Sequence, residues 1–486
     1  MAEANWPRKL SIGTAVLVTI GLGLRSFHYL RDPSVWHDEA MLMVNIMSKS
    51  FGELFGPLDF NQAAPPLFLW IARAVSLVLG DGSYALRLVP YLASCISLLL
   101  MVPIALRTLP ARCVPLALLL FACCHQLLWH ACEVKPYATD VLAVTILLAA
   151  FCATRHWSLS RQISLHAMLA PVLIFLSYPA CFVYGGLLVA LLPAVWRDKQ
   201  FRTMLAYGIL GAVVFGTFAV LVLRPVRSQR NEALMHYWMC CFPCWEKPWT
   251  VPGWIALSTL EVFRYCCKPI GQPLAALAVI GGIELWRRNQ RALVLVLAVP
   301  LALGFLAACM YRYPYGGVRF MVYMTPALVL LISAGISPTL GWLRSRSLIG
   351  AALLLGLITI PVGYSLRTVI APWPVADNAS ASSFVHAHRR SADAVLGNDW
   401  THRYYFRDLG SKFRTPDESF GEPLDRLWVV VSLTESPESR LKKVWDLAPG
   451  DWRILEKCDF RYVTAVLLER QRSLVNRHSS LVTNDR

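Results

Sequence analysis

Two carboxylates stand side by side in the stretch SVWHDEAMLMVNI, Ser34 to Ile46, where His37, Asp38 and Glu39 fall between a tryptophan and an apolar run. Sequence neighbours do not share a helix face, so Asp38 and Glu39 suit different tasks. One can take a proton from a hydroxyl while the other orients a partner. Shelter at a membrane edge raises a carboxylate's pKa by desolvation and makes it a better base. The alternative is a solvated pair that caps the helix behind it. A second group lies in WHACEVKPYATDVL, Trp129 to Leu142, where Glu133, Lys135, Tyr137 and Asp140 interrupt two apolar segments. Ionisable residues in such a place mark function by default, and a lysine is a compact point charge for a phosphate. Against this stands a plain Glu133–Lys135 pair, with Pro136 merely opening the next helix. The third group is YRYPYGGVRF, Tyr311 to Phe320, in which Arg312 and Arg319 bracket a Gly-Gly turn. Guanidiniums beside exposed backbone amides suit a phosphate or diphosphate. The same residue types also anchor helices at a membrane interface.

The elements that must position these groups are membrane helices. Hydrophobic residues make up 56% of the 486-residue chain and charged ones 16%, against roughly 45–50% and about 25% in soluble domains. The mean hydropathy is +0.49. A net charge of +16 invites a nucleic-acid reading, but the basic residues recur in short clusters between apolar runs. Arg8/Lys9, Arg107/Arg112, Arg155/Arg161, Arg197/Lys199/Arg202, Arg287/Arg288/Arg291 and Arg344/Arg346 are such clusters. That is the bias that keeps short loops cytosolic, and nucleic acid is not an expected partner.

Apolar windows long enough to cross a membrane fall near residues 10–30, 84–106, 113–131, 138–154, 163–178, 180–196, 203–223, 271–286, 292–311, 320–343 and 348–366. They predict about eleven spans, with the N-terminus cytosolic and the C-terminus extracytoplasmic in a plasma (inner) membrane. The first run has no small-residue cleavage signature after it and reads as a retained helix, not a signal peptide. Residues 31–83 carry three basic and six acidic side chains and form the first outer loop. Its apolar stretches AMLMVNIMSKSFGELF and PPLFLWIARAVSLVLG are short and read better as interfacial helices than as spans; the alternative, a short true span over 66–80, would put the basic clusters outside, which the charge bias disfavours. The loop 224–270 carries six basic and three acidic residues, which hints at anion handling on the outer face.

A transmembrane domain over 1–366 is therefore expected, followed by a polar, Arg-rich extracytoplasmic α/β domain over 367–486. Within the latter, SSFVHAHRRSADAVL and SPESRLKKVWDLA read as helices, LWVVVSL and YVTAVLLER as strands. No internal repeat is evident. Most of the 14 cysteines lie in apolar runs as small hydrophobes. Cys240, Cys241 and Cys244, with Cys266 and Cys267, share one loop and leave open a disulfide or a metal. No metal ligand set is otherwise evident, and a divalent-metal requirement is not decided by the sequence. Under this topology all three polar groups come to the outer face. A base, a set of cations and access to lipid together suggest group transfer from a lipid-linked phosphate.

WHDEAMLMVNI, PLDFNQAAPPLFLW, YALRLVPYL and EVKPYATDVLA, in this order, resemble the polytopic glycosyltransferases of the GT-C class. The relatives are bacterial protein O-mannosyltransferases, aminoarabinose transferases of lipid A and RgtA/B/C/D-like enzymes, and the resemblance covers about residues 10–370. It implies a polyprenyl-phosphate-linked sugar as donor and a lipid, glycan or protein hydroxyl as acceptor. It implies Asp38 as catalytic base, Glu39 and His37 beside it, and Gln62, Pro65 and Pro66 lining the mouth of the site. Lys135, Tyr137 and Asp140, with Glu133, match the family's polar motif, and Arg312 and Arg319 would join Lys135 and Tyr137 on the donor phosphate. Where some relatives have Glu-Lys or His before the proline pair, this chain has Ala63-Ala64, so the donor sugar does not carry over. One displacement with one base implies inversion at the anomeric carbon. The rivals are a transporter or flippase of lipid-linked sugars, whose sites lie near the bilayer midplane, and a ligase or polymerase using a lipid diphosphate.

Overall fold

The apolar runs do fold as helices. In the computed structural model, which describes residues 8–421 and 424–471 with side chains from residue 12, seven helices are long and apolar enough to cross a membrane. They are Ser83–Thr108, Leu159–Leu176, Ala180–Asp198, Phe201–Gln229, Arg291–Cys309, Arg319–Arg344 and Leu348–Ile370. The pair Pro248–Cys266 and Gly271–Arg287, bent by 100°, gives an eighth if it counts as one span. The chain is a helical multi-pass membrane protein with a small C-terminal α/β domain. The helix Arg8–Leu30, of 23 residues, precedes the seven, and Pro66–Leu79, Ala111–Ala122 and Tyr137–Ala153 are shorter apolar helices.

One expected span is not a single helix. The 113–131 window breaks after Val114–Ala122, because Cys124 turns to extended backbone before the short helix His125–His130. Arg25, fully buried, causes the break to hold. Its guanidinium donates to the carbonyls of Ala122 (3.0 Å), Phe121 (3.4 Å) and Gly21 (2.9 Å), and Nε donates to Ser94 Oγ (2.8 Å). A cation on the last carbonyls satisfies groups that a helix end leaves open. The interruption is what frees residues 131–136 for polar chemistry between helices.

Close packing comes from small residues. A Cβ at Gly281 would stand 1.8 Å from the Leu331 carbonyl oxygen, and one at Gly335 would stand 2.0 Å from that of Leu277. The helices Gly271–Arg287 and Thr325–Arg344 therefore touch backbone to backbone, a contact membrane helices favour where burial of apolar area offers no drive.

The chain divides into two compact units: residues up to 32 with 45–372, and residues 33–44 with those from 373 onward. The second contains a five-stranded sheet in the order β2-β1-β3-β5-β4, with β1 Ala394–Gly397, β2 Phe413–Arg414, β3 Arg426–Ser432, β4 Trp452–Phe460 and β5 Val463–Arg470. β1 runs parallel to β2 and β3, while β5 pairs antiparallel with β3 and β4. Alternate residues of β3 enter two cores. Trp428 and Val430 pack with Ala381 and Val385 of the helix Asn378–His388, and Leu427, Val429 and Val431 pack with Val444 of the helix Pro437–Leu447. A strand covered on both faces reads as a continuous apolar run, which is why LWVVVSL announces it. The stretch SSFVHAHRRSADAVL, expected to be one helix, is instead a helix ending at His388 and then β1. Asp393 makes the turn, accepting from Arg390 N (2.9 Å) and pairing with Arg426 (2.9 Å).

Candidate functional site

In the membrane unit, polar side chains gather around the turn between His125–His130 and Tyr137–Ala153. Pro136 stands at the N-cap of the second helix, its carbonyl accepting from Asp140 N (2.8 Å) and Thr139 Oγ1 (2.7 Å). Proline there opens the helix, as the sequence suggested. Glu133 is 2% exposed; its carboxylate meets His130 Nδ1 at 2.5 Å and accepts from Trp129 Nε1 at 3.0 Å. His130 in turn reaches the Tyr265 hydroxyl through Nε2 at 2.8 Å. Lys135, 4% exposed, donates from Nζ to Gln62 Oε1 at 2.6 Å. Gln62 and Lys135, far apart in sequence, are thus brought together.

Gln62 follows a tight turn in which Phe60 (φ 60°) and Asn61 (φ 53°) are both left-handed. Asparagine tolerates that conformation, and a phenylalanine does so at a cost. The segment after it is held by residues the sequence reading missed. Gln229 Oε1 accepts from Ala64 N (3.1 Å), and the Tyr178 hydroxyl donates to Ala64 O (2.9 Å). Pro65 and Pro66 are buried at the start of the helix Pro66–Leu79, where they set its entry.

The third group divides. The Arg319 guanidinium carbon lies 5.9 Å from the centroid of the Tyr137 ring and 5.2 Å from that of Trp238, a cation over two aromatic faces. It therefore joins the Lys135 motif. Arg312 is exposed. The Gly-Gly turn packs on the helix Val251–Cys266: Gly316 is buried against Ser258, and a Cβ at Gly317 would stand 3.0 Å from Glu261 Oε2. Asp140 is buried in the first turn of its helix, at the end where the dipole favours an anion.

The carboxylate pair belongs to the other unit. Asp38 and Glu39 occupy the first turn of the helix His37–Ser48; Glu39 is fully buried, Asp38 half-buried and His37 exposed. His37 Nδ1 lies 2.8 and 2.9 Å from the two carboxylate oxygens of Asp399, and its ring stacks on Trp400 at 6.1 Å. Burial would raise the pKa of Asp399, but hydrogen bonds from His37 and Thr401 outweigh it and hold the carboxyl at about 2. Nothing local in the sequence points to Asp399. His130, by contrast, stands three residues before Glu133, close enough in sequence to meet it across a single turn.

Among the described residues no cluster of three or more His, Cys, Asp or Glu side chains is arranged to hold a metal ion. Cys240, Cys241, Cys244, Cys266 and Cys267 are free thiols, with the Cys240 and Cys241 sulfurs 3.7 Å apart.

No protein-family model and no curated protein matches this sequence. Solved structures do. ArnT from Cupriavidus metallidurans in the apo state superposes with a TM-score of 0.54 at 13% identity, over 93% of this chain and 97% of that one. The chain has the GT-C fold. The same ArnT bound to undecaprenyl phosphate gives 0.51 at 14% identity, over 96% and 98%. The Archaeoglobus fulgidus oligosaccharyltransferase in complex with Zn and sulfate gives 0.50 at 11% identity, over 82% of this chain and 62% of that one. At such identities the likeness is one of fold, and the part played by each side chain rests on the geometry above.

Proposed function

We propose that this chain is a membrane glycosyltransferase that moves a sugar from a polyprenyl-phosphate donor to an acceptor hydroxyl on the extracytoplasmic face. Asp38 takes the hydroxyl proton, the acceptor oxygen attacks the anomeric carbon, and the bond from that carbon to the phosphate oxygen breaks. Polyprenyl phosphate leaves with the electron pair, and the sugar configuration inverts. Lys135 and Arg319, with Tyr137 beside them, meet the charge that grows on the leaving phosphate, which is where fixed cations lower a barrier most. Glu39, His37, Gln62, Glu133 and Asp140 shape the surroundings, and Arg312 offers a further cation.

The observation that carries this reading is Lys135: a buried ammonium on Gln62, between apolar helices, in a chain with the fold of ArnT, a protein crystallised with undecaprenyl phosphate. An ionisable group kept among membrane helices marks function by default, and a compact ammonium is the chemistry that a phosphate calls for. Incubating the purified chain with a panel of polyprenyl-phosphate sugars should release polyprenyl phosphate from at least one of them. Absence of release from every donor, with the protein folded and binding the lipid, would refute transfer and favour a lipid-handling role.

A further inference from the structure

The short segment that bears Asp38 and Glu39 is fastened, link by link, to the C-terminal domain. Ser34 Oγ donates to Asp377 Oδ1 (3.1 Å) and accepts from Ala379 N (3.3 Å). Val35 N donates to the Tyr405 hydroxyl (2.8 Å). His37 then takes Asp399 at 2.8 Å and stacks on Trp400 with the rings 11° from parallel. Asp399 is itself fixed, because Oδ1 accepts from Thr401 N (2.7 Å) and from the Thr401 hydroxyl. The residue before it, Asn398, is tied to the end of β3: its N–H donates to Val430 O (3.1 Å), its Nδ2 to Ser432 O (3.1 Å), and its Oδ1 accepts from Ser432 N (2.7 Å). A continuous run of hydrogen bonds therefore joins the buried core of the sheet to the first turn of the helix His37–Ser48.

We propose that the C-terminal domain is the mount of the carboxylate pair, with Asp399 as a positioning residue that acts on Asp38 through His37. This rests on the transferase reading for what Asp38 does, though not for the mount itself. The physical need is plain. Asp38 is the second residue of its helix, and first turns fray unless something outside the helix holds them. A general base must stand within hydrogen-bond reach of its proton, and a misplacement of about 1 Å costs about 10²-fold in rate. Asp399 accepts from Nδ1–H, which fixes the tautomer and the ring plane of His37 together. The carboxyl of Asp399 stays ionised at working pH, so the link persists there.

Two readouts on the full-length chain in detergent or nanodiscs test this. Backbone amides of residues 35–44 should exchange with deuterium about tenfold faster in Asp399→Ala than in wild type, a local opening that needs no substrate to detect. In turnover, Asp399→Ala should lower kcat by about 10²-fold and leave the donor KM unchanged. Asp399→Asn should restore part of both, since an amide oxygen still accepts from His37 and Thr401. His37→Phe, which keeps the stack on Trp400 and deletes the hydrogen bond, should match Asp399→Ala, and the double variant should be no worse. Exchange over 35–44 that is unchanged in Asp399→Ala and His37→Phe would overturn the mount. Accelerated exchange with full kcat would overturn the positioning role. If the wild type transfers no sugar, the transferase reading falls while the exchange measurement still decides whether the segment is mounted.

Discussion

Lys135→Met isolates the electrostatic part of donor binding. Methionine keeps most of the length and apolar bulk of the lysine stem and removes the ammonium, so packing between the helices changes little. The magnitude follows from the site. Lys135 is 4% exposed, so its attraction for a phosphate is screened less than at a surface. Hydrogen bonds to charged groups contribute about 1.5–3 kcal/mol net. Coulomb's law, with an effective dielectric of ~20 and a separation of ~4 Å, gives an upper bound of about 4 kcal/mol. Donor affinity should therefore fall by about 2–3 kcal/mol, which is roughly 30- to 150-fold. Some loss of stability will accompany it, because Gln62 Oε1 loses its 2.6 Å donor. Lys135→Met/Gln62→Met removes both partners and separates that cost from the loss of binding. Lys135→Arg should rescue in part, since a planar fork does not replace a compact charge. The assay is titration of a polyprenyl-phosphate sugar into wild type and variants in nanodiscs. Donor affinities equal within twofold would assign Lys135 to holding the turn that carries Gln62, and the phosphate role would be wrong.

Three other outcomes are expected. Asp38→Asn should lower turnover by about 10²–10⁴-fold with normal membrane insertion, and wild-type turnover would move the base elsewhere. Gly281→Ala should destabilise the helix pair by roughly 3 kcal/mol, because its Cβ would stand 1.8 Å from a backbone carbonyl. Gly282→Ala, whose nearest neighbour would be 3.9 Å away, should melt like wild type, and equal melting of the two variants would refute the close crossing. Asp399 titrates at about 2 in the folded chain against 3.8 for the ordinary carboxyl, so folding favours its charged form. The stabilisation is present above about pH 4 and is lost as the pH falls toward about 2, amounting to roughly 2 kcal/mol. Exchange protection of residues 33–44 should fall over that window in wild type and be flat in Asp399→Asn.

Much of the architecture is written locally and was legible for that reason. Apolar runs between basic clusters mark the helices, because a backbone in lipid must satisfy itself and the charges must stay out. Strands β3 and β5 announce themselves as continuous apolar runs, and the helix Pro437–Leu447 by its Ser436 cap and the proline at its first position. The break at Cys123–Cys124 gives no such signal, because neither glycine nor proline stands there. It is set by Arg25, 97 positions before Ala122. β4 was missed because its burial alternates with exposed polar residues, and β1 because four residues after a turn resemble the tail of a helix. The His37–Asp399 pair spans 362 positions, beyond any periodicity argument.

The polar motif shows how such a site departs from local rules. Sequence alone makes Glu133 and Lys135 natural mutual partners. In the fold Glu133 also meets His130 and Trp129, and Lys135 also reaches Gln62 from a different segment. Gln62 arrives there because two successive residues adopt left-handed backbone, a conformation that costs a non-glycine residue about 1–3 kcal/mol. Asn61 recovers part of this through its side-chain oxygen, which accepts from Asn231 Nδ2 at 2.7 Å. Phe60 has its carbonyl tied down, accepting from Gln62 Nε2 at 3.1 Å. A turn strained in this way persists only where the surroundings over-determine it, and here they do: Gln229, Tyr178 and Lys135 each hold a neighbour of the turn. Local propensity is thus overruled beside a buried cation, which is the pattern expected where function, and not stability, selects the residue.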